Sequence, residues 1–224
     1  MIERNDSLVL LLLALSSAAA CATGGPGPPA PDDCLPRSER PALTHVTAVA
    51  PSIREEIRYA TRDNFTGAPL PGYERGAALL RPEAAAALAR VQRRLEERGL
   101  GLLVWDAYRP MRATEAMVEW AGRTGNEWVL DRGYVARRSN HNRGNTVDLT
   151  LVRRETGEPL DMGTPYDHFG VESHTANASG SVMANRRILL VAMEAEGWQN
   201  YEQEWWHYTH ETVAEFVDVP IACY

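Results

Sequence analysis

The chain has no lysine. All 23 of its basic residues are arginine, set against 30 acidic ones, and the net charge is −7. An acidic chain without a basic run is poorly suited to gripping nucleic acid phosphates, so no nucleic acid partner is expected. Cysteine is scarce as well: three thiols support neither a disulfide-rich scaffold nor a four-thiolate zinc site. There is also no apolar run of about 20 residues, the length needed to cross a hydrocarbon core of ~30 Å. The rest of the composition is ordinary, with 44% hydrophobic and 24% charged residues over 224 positions. That balance excludes wholesale disorder and bounds the chain to one compact domain or two small ones. An enzyme or a small-ligand binder is what remains.

The first twenty residues are different material. Leu8 to Leu15 is unbroken apolar sequence, followed by Ser16-Ser17-Ala18-Ala19-Ala20-Cys21. The run is too short to span a bilayer and fits the apolar region of a secretory signal. Cys21, directly after small residues, is a candidate for lipidation; plain cleavage after an Ala-x-Ala is the alternative. The expected organisation is a signal peptide over 1–20, a Gly/Pro-rich tether over 21–42 and a folded domain over 43–224. Gly24 to Pro31, in which every residue but one is Gly or Pro, cannot hold helix or sheet. The expected location is outside the cytoplasm, in the periplasm or cell envelope, with membrane attachment through Cys21.

Within the domain, Arg81-Pro82-Glu83 opens a helix whose Leu88, Val91 and Leu95 form one apolar stripe, and Gly99 and Gly101 stop it. Leu102 to Trp105 reads as a buried strand, Arg112 to Arg123 as a second helix and Ser181 to Glu196 as a third. Thr146 to Val152 alternates Val147, Leu149 and Leu151 with Asp148 and Thr150, a strand pattern. The aromatic tail from Gln199 to Tyr208 suits a strand or hairpin edge. Without a regular βαβ rhythm, the class is α+β: a small antiparallel sheet with helices packed on it. Trp105, Trp120 and Trp128 are expected in the core.

Two histidines sit in unusual company. His141 lies in Ser139-Asn140-His141-Asn142-Arg143-Gly144, a polar loop that leads to Asp148 on the strand. His207 closes Glu204-Trp205-Trp206-His207. Catalytic zinc takes three protein ligands from His and carboxylate and leaves one position open. His141, Asp148 and His207 supply such a set, with Glu204 as an unligated general base and Arg109 as an oxyanion stabiliser. Each piece alone is weak, since an isolated Glu-x-x-His is more often a surface pair. His45, His168, His174 and His210 are read as having no metal role, with His210 the stand-in for His207.

The motifs together are more specific. Asp63-Asn64-Phe65-Thr66-Gly67, Asp106-Ala107-Tyr108-Arg109-Pro110, Ser139-x-His141-x-x-Gly144-x-x-x-Asp148-Leu149-Thr150-Leu151, Asp161-Met162-Gly163-Thr164-Pro165 and Glu204-Trp205-Trp206-His207-Tyr208 occur in order over residues 63–208. In these blocks the sequence resembles the VanX-type D-alanyl-D-alanine dipeptidases, which are related to the zinc D,D-carboxypeptidases. The resemblance implies a hedgehog/D,D-peptidase-like α+β fold with a zinc cleft and one zinc per chain on His141, Asp148 and His207. It places Glu204 as the catalytic base, Arg109 beside the tetrahedral intermediate, Ser139 near the substrate carboxylate and Asp167 near the substrate ammonium. The implied activity is hydrolysis of the dipeptide. A D,D-carboxypeptidase or endopeptidase acting on peptidoglycan stem peptides, and a non-catalytic wall-binding module with structural zinc, are the alternatives.

Cys34 and Cys223 are the thiols left if Cys21 is lipidated. In an oxidising compartment they are expected to form a disulfide, because domain termini often lie close together. Two unpaired cysteines are the alternative.

Overall fold

The computed structural model describes Met1 and residues 34–224. The expected signal peptide past Met1, the lipidation candidate Cys21 and the tether up to residue 33 lie outside the described residues. In chain order the elements are β1 (Thr44–His45), the single turn α1 (Val46–Val49), β2 (Arg54–Glu55), β3 (Leu79–Leu80), α2 (Pro82–Glu96), β4 (Leu100–Asp106), α3 (Met111–Thr124), the short α4 (Trp128–Asp131), β5 (Thr146–Arg153), α5 (Gly180–Glu194), β6 (Trp198–Asn200) and β7 (His207–His210). The class is α+β. The five-stranded sheet runs β2-β4-β5-β7-β6, and β1 pairs with β3 in a separate two-stranded ribbon. Neighbours in the main sheet are antiparallel except β2, which lies parallel to β4 at one edge.

Local chemistry explains the helix limits. Pro82 occupies the first turn of α2, where its missing N–H costs nothing. Gly125 closes α3 in the left-handed region at φ 72°, a conformation glycine adopts without Cβ strain. The inner stripe of α2 buries Leu88, Val91 and Leu95. Gln92 joins that stripe, and its Oε1 accepts the Leu102 N–H at 2.9 Å, which stitches α2 to β4.

Register decides what each face of β5 meets. Leu149 and Leu151 sit opposite Val104 and Leu102, and Thr150 opposite Leu103. Both faces are buried, from Thr146 through Val152. The alternation seen in the sequence therefore separates an apolar core face from a polar face that is also covered, rather than core from solvent. Tyr166 provides part of that cover, stacked on Trp105 with ring centroids 4.9 Å apart.

Trp105 is buried and Trp120 half-buried, but Trp128 is 39% exposed, against the expectation of a core residue. It stands on the short α4, where Arg132 covers its ring at 5.6 Å. The aromatic tail forms the β6–β7 hairpin at the far edge of the sheet. Cys34 and Cys223 are joined by a disulfide with Cα atoms 5.6 Å apart. The segment from Cys34 to Ala42, expected as part of the tether, is thereby held against the C-terminus, and Arg40 donates to the carbonyls of Leu35 and Cys223.

Candidate metal centre

A capped turn delivers the first candidate ligand. Asn140–Arg143 is a 3-10 turn in which Ser139 Oγ accepts the His141 N–H at 3.2 Å and Asn142 Oδ1 accepts the Ser139 N–H at 2.9 Å. Such a capping box satisfies donors that the start of a helical turn would otherwise orphan. Gly144 ends the turn at φ 73°, and a Cβ there would come within 2.7 Å of Leu43. Asn142 donates to the Arg109 carbonyl and to Thr114 Oγ1, both at 2.9 Å, tying the turn to the end of β4 and to α3. Strand β5 then places Asp148, and its register sets His207 of β7 directly opposite.

Three donor atoms converge. His141 Nε2 lies 3.2 Å from Asp148 Oδ1 and 3.3 Å from His207 Nδ1, and His207 Nδ1 lies 3.0 Å from Asp148 Oδ1. Zinc–nitrogen bonds of about 2.0–2.1 Å in a tetrahedron separate their donors by about 3.3 Å. The observed triangle fits that size, and two imidazoles with one carboxylate are a suitable donor set. Its orientation fits as well. His141 Nδ1 donates to the Ala107 carbonyl at 2.6 Å, which leaves Nε2 with its lone pair toward the other donors. Tyr166 O–H donates to Asp148 Oδ2 at 2.9 Å, which leaves Oδ1 for the cluster. Burial pushes the His207 imidazole pKa down and favours the neutral, ligating form.

The cluster lies in the wall of a cavity of about 380 Å³ that Glu204, Arg109, Ser139 and Asp167 also line. Glu204 Oε2 is 3.6 Å from His207 Nδ1. Burial, and then the nearby charges of Asp148 and Asp167, push the Glu204 carboxyl well above the usual carboxylate range. Arg109 is buried, with Nε 2.9 Å and Nη2 2.8 Å from Asp106 Oδ2, and its guanidinium lies over the Tyr59 ring at 4.9 Å. Its Nη2 is 3.7 Å from Asp148 Oδ2. Asp167 accepts from Tyr59 O–H at 3.1 Å and holds φ at 58°, alone among the described non-glycine residues in being positive.

The structure thus gathers His141, Asp148, His207, Glu204, Arg109, Ser139 and Asp167 around one cavity. His210 is not part of it. It packs on Trp198 at 5.1 Å and its Nδ1 is 2.6 Å from Thr212 Oγ1. His45, His168 and His174 lie outside the three-donor cluster. Three residues carry more of the site than sequence reasoning gave them: Asp106 under Arg109, Tyr166 behind Asp148, and Tyr59 between Arg109 and Asp167. Asp106 and Tyr166 sit inside or beside the recognised motifs, and that adjacency was the available signal. Tyr59 carried none.

An α+β domain with a His-Asp-His donor set and a neighbouring carboxylate, set in the wall of one cavity, is built as a metallopeptidase. Residues 40–224 match the M15 peptidase family, described as D-ala-D-ala dipeptidase, and the chain belongs to that zinc-dependent family. It is 42% identical to the D-alanyl-D-alanine dipeptidase of Streptomyces coelicolor, over 79% of this chain and 96% of the relative. It is 37% identical to that of Enterococcus faecium, over 74% and 90%, and 34% identical to that of Escherichia coli, over 80% and 90%.

Proposed function

We propose that the chain hydrolyses D-alanyl-D-alanine with one zinc ion held by His141, Asp148 and His207. The observation that carries this is the donor triangle of 3.0–3.3 Å beside the free carboxylate of Glu204. When bound, zinc supplies the Lewis acidity that lets water ionise near neutral pH. Glu204 takes the proton of the attacking water and passes it to the leaving amine. Arg109, held by Asp106, brings a fixed positive charge to the carbonyl oxygen as its negative charge develops. Asp167 takes the free ammonium of the dipeptide, and Ser139 the carboxylate.

Asp167 supports the dipeptide over a stem peptide. A half-buried carboxylate in the cavity wall gains a strong partner from an ammonium and a poor one from an amide, so chain extension at that end is disfavoured. Product analysis by mass spectrometry tests the choice. The proposal expects two alanines from free dipeptide and no cleavage of a pentapeptide stem. Release of terminal alanine from the pentapeptide at a comparable rate would make the chain a carboxypeptidase, and no release from either a binding module.

The same reading places the enzyme in the cell envelope, attached through lipidated Cys21. The apolar run Leu8 to Leu15 before Cys21 and the Cys34–Cys223 disulfide support export, since disulfides persist in oxidising compartments.

A further inference from the structure

One buried cation has no carboxylate partner. Arg186 of α5 is 2% exposed, and among the described residues no acidic side chain lies within ion-pair distance of it. Its fork is spent instead on backbone carbonyls: Nε donates to Met162 at 2.9 Å, Nη1 to His174 at 2.7 Å and Asn177 at 3.5 Å, and Nη2 to Glu172 at 2.9 Å. All four acceptors belong to one stretch of loop, and they bracket it from both ends. A planar guanidinium with five fixed N–H donors can gather carbonyls in this way, whereas an ammonium with three cannot match the pattern.

What lies between the bracketed ends is the substrate wall. Tyr166 reaches Asp148 Oδ2, Asp167 meets Tyr59, and Phe169 lines the cavity. Asp167 holds a left-handed backbone conformation, uncommon for a residue with a Cβ, which persists only where the surroundings over-determine it. Inner braces help: Ser173 Oγ donates to the His168 carbonyl at 2.6 Å and Trp205 Nε1 to Thr164 Oγ1 at 2.8 Å. Among the described residues, Arg186 is the one side chain bonded to both ends.

We propose that Arg186 is a positioning residue for recognition of the substrate ammonium, clamping the 162–177 loop so that Asp167 is held at the cavity wall. The proposal rests on the assignment of Asp167 to the ammonium. Recognition is read as the ratio of kcat/KM for D-alanyl-D-alanine over N-acetyl-D-alanyl-D-alanine, with zinc in excess. Arg186→Lys and Arg186→Gln should lower that ratio roughly 10–100-fold, mainly by raising KM for the free dipeptide, because small displacements of a positioning group are costly. Bound zinc should stay at the wild-type level, and amide exchange should quicken in the loop but not in β5.

Asp167→Asn, run alongside, keeps the two ideas apart. If it lowers the ratio while both Arg186 variants leave it unchanged, the clamp is overturned and the Asp167 assignment stands. A wild-type ratio near one overturns that assignment, and the clamp with it. Failure of both Arg186 variants to fold would make Arg186 a determinant of the whole domain, which also contradicts a role confined to the loop.

Discussion

Tyr166 donates its hydroxyl hydrogen to Oδ2 of Asp148 at 2.9 Å, so the two carboxylate oxygens are divided between a phenol and the pair of imidazoles. A ligand oriented from behind binds metal more tightly than one free to rotate, and loss of such a partner typically costs about 10–100-fold in affinity. Tyr166→Phe should therefore weaken zinc by about that factor while leaving the fold intact. Competition with a chromophoric chelator measures it, and an unchanged affinity would remove Tyr166 from the site.

Arg109 and Asp106 form a buried pair, and burial pushes the Asp106 carboxyl up against the pull of Arg109. Arg109→Ala should do two things at once. Loss of transition-state charge should lower turnover about 10²–10³-fold, and leaving buried Asp106 with the Tyr73 hydroxyl but without its guanidinium should cost about 3–5 kcal/mol of stability. Kinetics and urea melts on the same variant separate the effects. A slow but fully stable variant would show that the Tyr73 hydroxyl alone satisfies Asp106.

The disulfide closes a loop with a sequence separation of 189. In the chain-entropy model such a loop contributes about 5 kcal/mol, with measured values often smaller. Cys34→Ser with Cys223→Ser should lower the melting temperature without changing kcat, because neither residue lines the active cavity. Equal melting temperatures for oxidised and substituted protein would count against this.

Glu196 clasps α2 from beyond the end of α5, with Arg94 Nε at 2.7 Å and Arg90 on its other oxygen. The hydrogen bond from Arg90 leads in holding its carboxyl below the usual range. A carboxyl with a lowered folded-state pKa adds stability above its unfolded pKa, and loses it as pH falls through the folded value. Glu196→Gln should thus lower the urea midpoint at neutral pH and match wild type in acid. A gap that stays constant from neutral to acid pH would rule out a charge effect.

Much of this was legible beforehand, because helix stops, zinc-ligand chemistry and motif order are local or categorical features. Pro82 and Gly99 marked α2, and His141, Asp148, Glu204 and His207 stood in recognisable blocks. What could not be read depends on long-range register. The two-residue strands β1, β2 and β3 have too few side chains to show a period. Tyr59 reaches Asp167 across 108 residues, and Asp106 supports Arg109 only once the turn after β4 has closed. Trp128 misled because its apolar ring implied burial, whereas α4 is too short to cover it.

Zinc titration of metal-free protein, read simultaneously as bound metal and as alanine released from D-alanyl-D-alanine, tests the site most directly. Activity should rise in proportion to metal and stop at one zinc per chain. Glu204→Gln should bind the same single zinc yet turn over about 10²–10⁴-fold more slowly, and His207→Ala should bind it weakly. Full hydrolysis by metal-free protein, or by His207→Ala without zinc, would contradict the assignment of His141, Asp148 and His207.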